Sequence, residues 1–247
     1  MQNIYSIDIT LKTDSVDLTE RWTMSGVLNA MQLAADNHAV ILGAGKDHII
    51  GRGHYWVIAR TRIDIERYPR YQDGVTVTTW PGTPDRLTFP RYFKFSDEHG
   101  QTLGTATVKY MLMDSETHSF VLPKDAEIYP KSMAIHPEIN PSPEKIRFSA
   151  PTQQTAYRTP SYSDIDINRH MNNTRYAQWA CDLFPTSQYE SNSIARFQIN
   201  YVSDGIEGHN IALDVQHDDD SMNTIIKGTD TENNKTVFEC AIVWTKI

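Results

Sequence analysis

The chain has 247 residues, with 23 Lys plus Arg against 31 Asp plus Glu and a net charge of -8 at pH 7. That length allows two domains or one large one with a sizeable core. The negative balance speaks against a nucleic-acid partner, whose grip rests on phosphate neutralisation.

No apolar stretch approaches the length needed to span a bilayer, so no integral membrane segment is expected. The first residues, MQNIYSIDITLKTD, lack the charged start and apolar run of an export signal, and the expected location is cytoplasmic. From about Ser25 to Leu42, Leu28, Met31, Ala35, Ala39 and Leu42 form an apolar stripe that Val27, Ala30, Ala34 and Ile41 widen. This predicts a helix buried on most sides, for which the simplest container is an antiparallel sheet curved around it. The following Gly43-Ala44-Gly45-Lys46 lacks the spacing of a phosphate-binding loop and comes after a helix, so Gly43 reads as a C-cap.

The strands that follow are duplicated. ARTRIDI at 59–65 lies over ARFQINY at 195–201, a shift of 136 positions, and Asp73, Gly74, Val75 and Val77 fall on His209, Asn210, Ile211 and Leu213. Further on, 93–112 resembles 226–247, each a polar hairpin turn between β-rich runs. Between the halves, residues 124–152 carry Pro130, Pro137, Pro141, Pro143 and Pro151 without apolar period and read as a linker. The expected organisation is an N-terminal domain over 1–123, that linker, and a C-terminal domain over 153–247.

The second half opens on DIDINRHMNN at 164–173. Asp166, Asn168 and His170 fall at every second position and would share one face of an extended segment. Asn172 or Asn173 is an N-cap candidate for a helix carried by Tyr176, Ala177, Ala180, Cys181 and Phe184 and stopped by Pro185. A carboxylate, an amide and an imidazole would thus sit at a helix N-terminus, whose N–H groups and dipole favour an oxyanion. Asp166 or His170 could activate water, while Asn168 could orient it or a carbonyl. In the plainer alternative, Asp164 or Asp166 makes an Asx-turn, Asn172 only caps and His170 is a solvated side chain. Cys181, in the helix, and Cys240, in a terminal strand, are expected to be small core residues without a disulfide.

Duplicated sheet-around-helix units with a DxNxH motif before the second helix resemble the acyl-[acyl carrier protein] thioesterases of plants and bacteria. WVIARTRIDIERYPRYQDGVTVTTW looks like that family's first-domain strand pair, and SDIDINRHMNNTRYAQW like its catalytic segment. The resemblance implies an α+β tandem hotdog fold and hydrolysis of acyl-[acyl carrier protein] to free fatty acid, with no metal or organic cofactor. It makes Asp166 the catalytic carboxylate, with Asn168 and His170 positioning or polarising thioester and water. Attack by Asp166 itself and general-base activation of water both fit. Plant members carry a Glu-Cys pair in the strand after the helix, a place this register gives to Asn200 and Tyr201; the role of that glutamate then either passes to Asn200, as an orienting amide without charge, or is dispensable.

The stretch before the first helix, LTERWTMSG, shows Glu20 but no spaced Asn and His, so one active site per chain is expected. The first half would hold the fatty chain, with Met31, Leu33 and Ala34 as pocket candidates. Asn172, Asn173 and Arg175 are candidates for substrate contact, and Arg169 or Arg175 for a phosphate of phosphopantetheine. The implied partner is the acyl carrier protein. Rival expectations are an acyl-CoA thioesterase and a non-catalytic acyl-thioester sensor; homodimerisation stays open.

Overall fold

The computed structural model describes residues 3–126, 128, 139, 142–148, 154–167, 169–218 and 222–247. Asn168 and the greater part of the expected 124–152 linker lie outside the described residues. The chain forms two compact units, one of Met1–Trp22 and Gly26–Pro143, the other of Thr23–Ser25 and Glu144–Ile247. No helix among the described residues is long and apolar enough to cross a membrane.

The first unit contains β1 (Tyr5–Thr10), all but the first two residues of α1 (Met24–Ile41), α2 (Lys46–Ile50), β2 (His54–Ile65), β3 (Gly74–Pro81), β4 (Phe89–Asp97), β5 (Thr102–Asp114) and β6 (Phe120–Val121). Its strands pair antiparallel in the order β1-β3-β4-β5-β2, with β6 beside β5. Val27, Met31, Ala34 and His38 of α1 are buried, and His38 stacks on Tyr5 of β1 while its Nδ1 lies 3.0 Å from Arg91 Nη1 of β4. α1 ends as expected at Gly43, whose φ is 68°. Gly43 N–H donates to Val40 O and Ala44 N–H to Ala39 O, the paired bonds that close a helix on a left-handed residue.

One expectation fails here. α1 is not covered on most sides, because Asn29, Gln32, Leu33, Asp36, Asn37, Val40 and Ile41 form a solvent-facing stripe at helical spacing. Leu33 is thereby half exposed, at 51%, and leaves the set of pocket candidates.

The second unit contains β7 (Gln154–Arg158), α3 (Asn173–Cys181), α4 (Thr186–Ser191), β8 (Asn192–Tyr201), β9 (Ile211–Asp218), β10 (Asn223–Asp230) and β11 (Thr236–Lys246). Its strands pair antiparallel in the order β7-β9-β10-β11-β8. That is the first unit's order, strand for strand. Tyr176 of α3 packs edge-on against Tyr201 of β8 and Phe238 of β11, which seats the helix on the sheet.

The duplication reaches the irregularities. β2–β5 pairing skips Ala59 and β8–β11 pairing skips Ala195, positions 136 apart. A second bulge falls at Leu103 in the first unit and at Val237 in the second. Leu103 O accepts from the N–H groups of Glu66 and Arg67, and Val237 O from those of Val202 and Ser203. Each bulge thus turns the chain out of its sheet at the same point.

Candidate active site

In the second unit the chain leaves β7 through Pro160 and a single 3-10 turn, Tyr162–Asp164, where Asp164 Oδ2 accepts from the N–H and Oγ of Ser161. It then reverses. Ile165 and Met171 form an antiparallel bridge, Asp166 N–H donates to His170 O at 2.8 Å, and His170 N–H donates to Asp166 Oδ1 at 3.3 Å. Arg169, at φ 62°, takes the left-handed conformation that makes the reversal tight. Asp166 and His170 are therefore brought together across a loop, not along one face of an extended segment. The alternation that suggested the extended segment is real, but the hydrogen bonds within 165–171 override it.

Asn172 caps α3 as expected: its Oδ1 accepts from Thr174 N–H (2.9 Å) and Thr174 Oγ1 (2.8 Å), and its carbonyl accepts from Arg175 N–H. These bonds engage two of the N–H groups that the sequence offered for an oxyanion. The Asn173 N–H is the first-turn donor left over among the described residues.

The partner of His170 is a residue the sequence reading missed. Asp204 Oδ2, in the loop after β8, lies 2.8 Å from His170 Nδ1, and both side chains are about half exposed. The plant Glu-Cys register pointed to Asn200 and Tyr201; the carboxylate that reaches His170 comes four residues later, in the polar turn Ser203-Asp204-Gly205. Beneath it, the buried Tyr176 hydroxyl accepts from Gly205 N–H at 2.9 Å. Burial pushes that phenol far above its ordinary pKa; the Gly205 N–H opposes the shift, and the charges of Asp204 and Asp166 add to it. Tyr201 O–H in turn donates to Asn173 O at 3.2 Å.

The other candidates are engaged elsewhere. Asn200 is buried; its Nδ2 donates to Glu144 O (3.3 Å) and its Oδ1 accepts from Gln198 Nε2 (3.3 Å). By strand alternation Asn200 points away from the face on which Tyr201 meets α3, so its amide anchors Glu144. Arg175 Nη1 donates to Gln178 Oε1 (2.9 Å), and its Nε lies 4.0 Å from Asp164 Oδ1. Met31 and Ala34 are buried on α1 of the first unit.

The first half does contain a counterpart of the loop, which begins at Val16, two residues before LTERWTMSG. Val16 and Trp22 form an antiparallel bridge, Asp17 N–H donates to Arg21 O (2.9 Å), and Arg21 N–H donates to Asp17 Oδ1 (3.2 Å). Glu20 N–H donates to Asp17 O, and Glu20 has φ 63°. VDLTERW at 16–22 thus repeats the bridge, the hydrogen bonds and the left-handed residue described for IDINRHM at 165–171. Its Asp is kept, Thr19 stands in sequence where the second copy has Asn168, and Arg21 replaces His170. Tyr68, 136 positions before Asp204, takes that residue's place, with the Arg21 guanidinium 5.8 Å over its ring. A guanidinium cannot accept a proton, so this copy lacks the imidazole's capacity as a base.

Residues 2–126 match the family described as the acyl-ACP thioesterase N-terminal domain, and residues 149–246 the acyl-ACP thioesterase C-terminal domain. A curated relative, the chloroplastic dodecanoyl-[acyl-carrier-protein] hydrolase of Cinnamomum camphora, is 31% identical over 188 residues, which are 71% of this chain and 49% of that protein. The chain thus spans about half the length of the curated relatives it matches first. Among solved structures, an acyl-ACP thioesterase from Bacteroides thetaiotaomicron is similar with a TM-score of 0.89 at 24% identity, covering 98% of both chains. The 12:0-ACP thioesterase from Umbellularia californica is similar with a TM-score of 0.89 at 22% identity, covering 100% of this chain and 99% of that one. The fold is the double hotdog, in the α+β class expected.

Proposed function

Because the chain belongs to the acyl-ACP thioesterase family, we propose that it hydrolyses the thioester of acyl-[acyl carrier protein] and releases free fatty acid. The observation that carries this reading is the 2.8 Å contact of Asp204 with His170 Nδ1, in a loop closed by Asp166 at the start of α3. A carboxylate on Nδ1 fixes the tautomer and leaves Nε2 as the proton acceptor.

Water, activated by His170 with Asp166 beside it, attacks the thioester carbonyl while His170 takes its proton and Asp204 stabilises the imidazolium. The oxyanion is favoured by the positive end of α3 and the Asn173 N–H, and Asn168 orients water or carbonyl. On collapse the C–S bond breaks, the proton passes from His170 to the sulfur, and the carrier's phosphopantetheine leaves as a thiol beside the fatty acid. In the same proposal the first unit holds the acyl chain, with Met31 and Ala34 in the wall of its pocket, and residues 124–152 link the two domains.

The test is free fatty acid release from a panel of acyl-[acyl carrier protein] substrates of several chain lengths, with wild type and Asp166→Asn side by side. Release that the variant loses supports both reaction and loop. No release from any carrier-bound substrate overturns the proposal, and the same panel on coenzyme A then tests acyl-CoA hydrolysis.

A further inference from the structure

The two copies of the loop are held in different ways. In the first, the backbone does it: Trp22 N–H donates to Pro69 O (3.3 Å), Tyr71 N–H donates to Glu20 O (2.9 Å), and Arg21 and Arg70 form an antiparallel bridge. In the second, among the described residues, no backbone hydrogen bond joins 165–171 to 202–207. Two side-chain contacts stand in their place, His170 with Asp204 and the Tyr176 hydroxyl with Gly205 N–H.

The first of these is weak as a tether. His170 and Asp204 are both about half exposed, and water and mobile side chains compete for a contact of that kind. The second is of another sort. Tyr176 is buried, its ring is fixed between Tyr201 and Phe238 at centroid distances of 5.6 and 5.3 Å, and its oxygen engages the amide next to Asp204. The fit around that amide is close: a Cβ on Gly205 would lie 2.9 Å from Met171 Sδ and 3.3 Å from the Tyr176 hydroxyl. Met171 ends the loop that carries His170, so Gly205 is seated between that loop and α3. Counted from the loop's last residue, the first copy's equivalent of Tyr176 is Val27, which has no acceptor to offer.

We infer that Tyr176 is a positioning residue of the active site: by accepting the Gly205 N–H, its hydroxyl holds Asp204 against His170 and supplies the coupling between loops that the first copy obtains from its backbone. The inference rests on the reading of His170 and Asp204 as the base and its orienting partner. Tyr176→Phe keeps the ring and removes only the acceptor, so the fold survives and the coupling does not.

Three readouts test it. Tyr176→Phe should lower kcat on acyl-[acyl carrier protein] roughly tenfold, the scale of one lost hydrogen bond, with KM within about twofold. In an Asp204→Asn background the same substitution should cost almost nothing further, since its effect passes through Asp204. By hydrogen exchange, the Gly205 amide should exchange at least about tenfold faster in Tyr176→Phe, while amides of β8 and β11 keep their protection. A wild-type rate in Tyr176→Phe, a full additional loss on top of Asp204→Asn, or an unchanged Gly205 amide each overturns the inference. If wild type releases no fatty acid from any carrier, the functional reading fails by itself, and the exchange of Gly205 still decides whether Tyr176 couples the loops.

Discussion

Loops 16–22 and 165–171 share a bridge and a set of backbone hydrogen bonds among their described residues and differ in almost every side chain. Both close with the same bridge, the same carbonyl and carboxylate bonds, and the same left-handed fifth residue. What they keep in common is the aspartate, and in both it accepts the N–H four residues on. The copy without the imidazole keeps that carboxylate as well, so an aspartate at this position has a part in loop geometry. The copies differ in what stands beside that aspartate: an imidazole facing a carboxylate in one, a guanidinium over a phenol ring in the other.

The sharpest break of this comparison is the matched pair Asp166→Asn and Asp17→Asn. An amide oxygen can still accept the loop N–H, so both variants should fold. Asp166→Asn is expected to lose on the order of 10³-fold in kcat, the range of general acid–base contributions, and Asp17→Asn to stay within about twofold of wild type. Near-wild-type turnover by Asp166→Asn would reduce Asp166 to the structural role of Asp17 and leave catalysis to His170 and Asp204. The next effect in size is Asp204→Asn. It keeps a group near Nδ1 but removes the charge that stabilises the imidazolium, and should cost roughly 10- to 100-fold in kcat. Tyr68→Phe, at the matching position, should leave kcat unchanged. Equal effects of these two substitutions would mean that the copies are not divided into an active and an inactive one.

Stability should show the reverse asymmetry. Asp17 Oδ1 accepts from Thr19 N–H (2.7 Å), Thr19 Oγ1 (2.6 Å) and Arg21 N–H (3.2 Å). Asp17→Ala is expected to lower stability by about 1–2 kcal/mol through these orphaned donors, with kcat kept in the folded fraction. Denaturant unfolding monitored beside activity checks it, and a loss of kcat without loss of stability would give the first loop a role in turnover. A smaller and common effect concerns the left-handed residues. Glu20→Gly and Arg169→Gly should each raise stability by about 0.5 kcal/mol, since glycine relieves the strain of positive φ at some entropic cost. If only one of them does so, the two backbones are less alike than their hydrogen bonds indicate.

How much of this was legible in the sequence follows from where the information is local. The period of Leu28, Met31 and Ala35, the cap at Asn172 and the stop at Gly43 are set by neighbouring residues, and α1 and α3 formed where those signals stood. The duplication was legible from β2 onward because the shift of 136 runs without a gap through β2 and β3 and changes little after them, being 134 at the bulges Leu103 and Val237. Before the helices it is 149, since α1 is longer than α3, and of the loop only the aspartate is shared, so no Asn or His marks the first copy. The reversal at 165–171 was hidden for another reason. Its tight point is an arginine with positive φ, which announces no turn as glycine would, while the polar alternation imitates a strand. Asp204 lies 34 positions beyond His170, and only tertiary folding joins them.

The last difference between the copies concerns pH. His209, the counterpart of Asp73, places Nδ1 2.8 Å from Oδ2 of the buried Asp230 and Nε2 3.4 Å from Glu232. The hydrogen bond to Asp230 raises its pKa above the ordinary imidazole value of 6.5; partial burial opposes this and Glu232 adds to it. A raised folded-state pKa means that the protonated histidine stabilises the native chain fully below about pH 6.5, and that this contribution is lost as pH rises through the folded value. In the first copy Asp73 accepts the Arg70 N–H at 2.8 Å, and no imidazole stands there. The unfolding midpoint of wild type should therefore fall relative to that of His209→Gln between pH 6 and 8, whereas Asp73→Asn should run parallel to wild type over the same range. A difference between wild type and His209→Gln that stays constant with pH would show that the His209 contact, like the aspartate of the two loops, serves geometry and not charge.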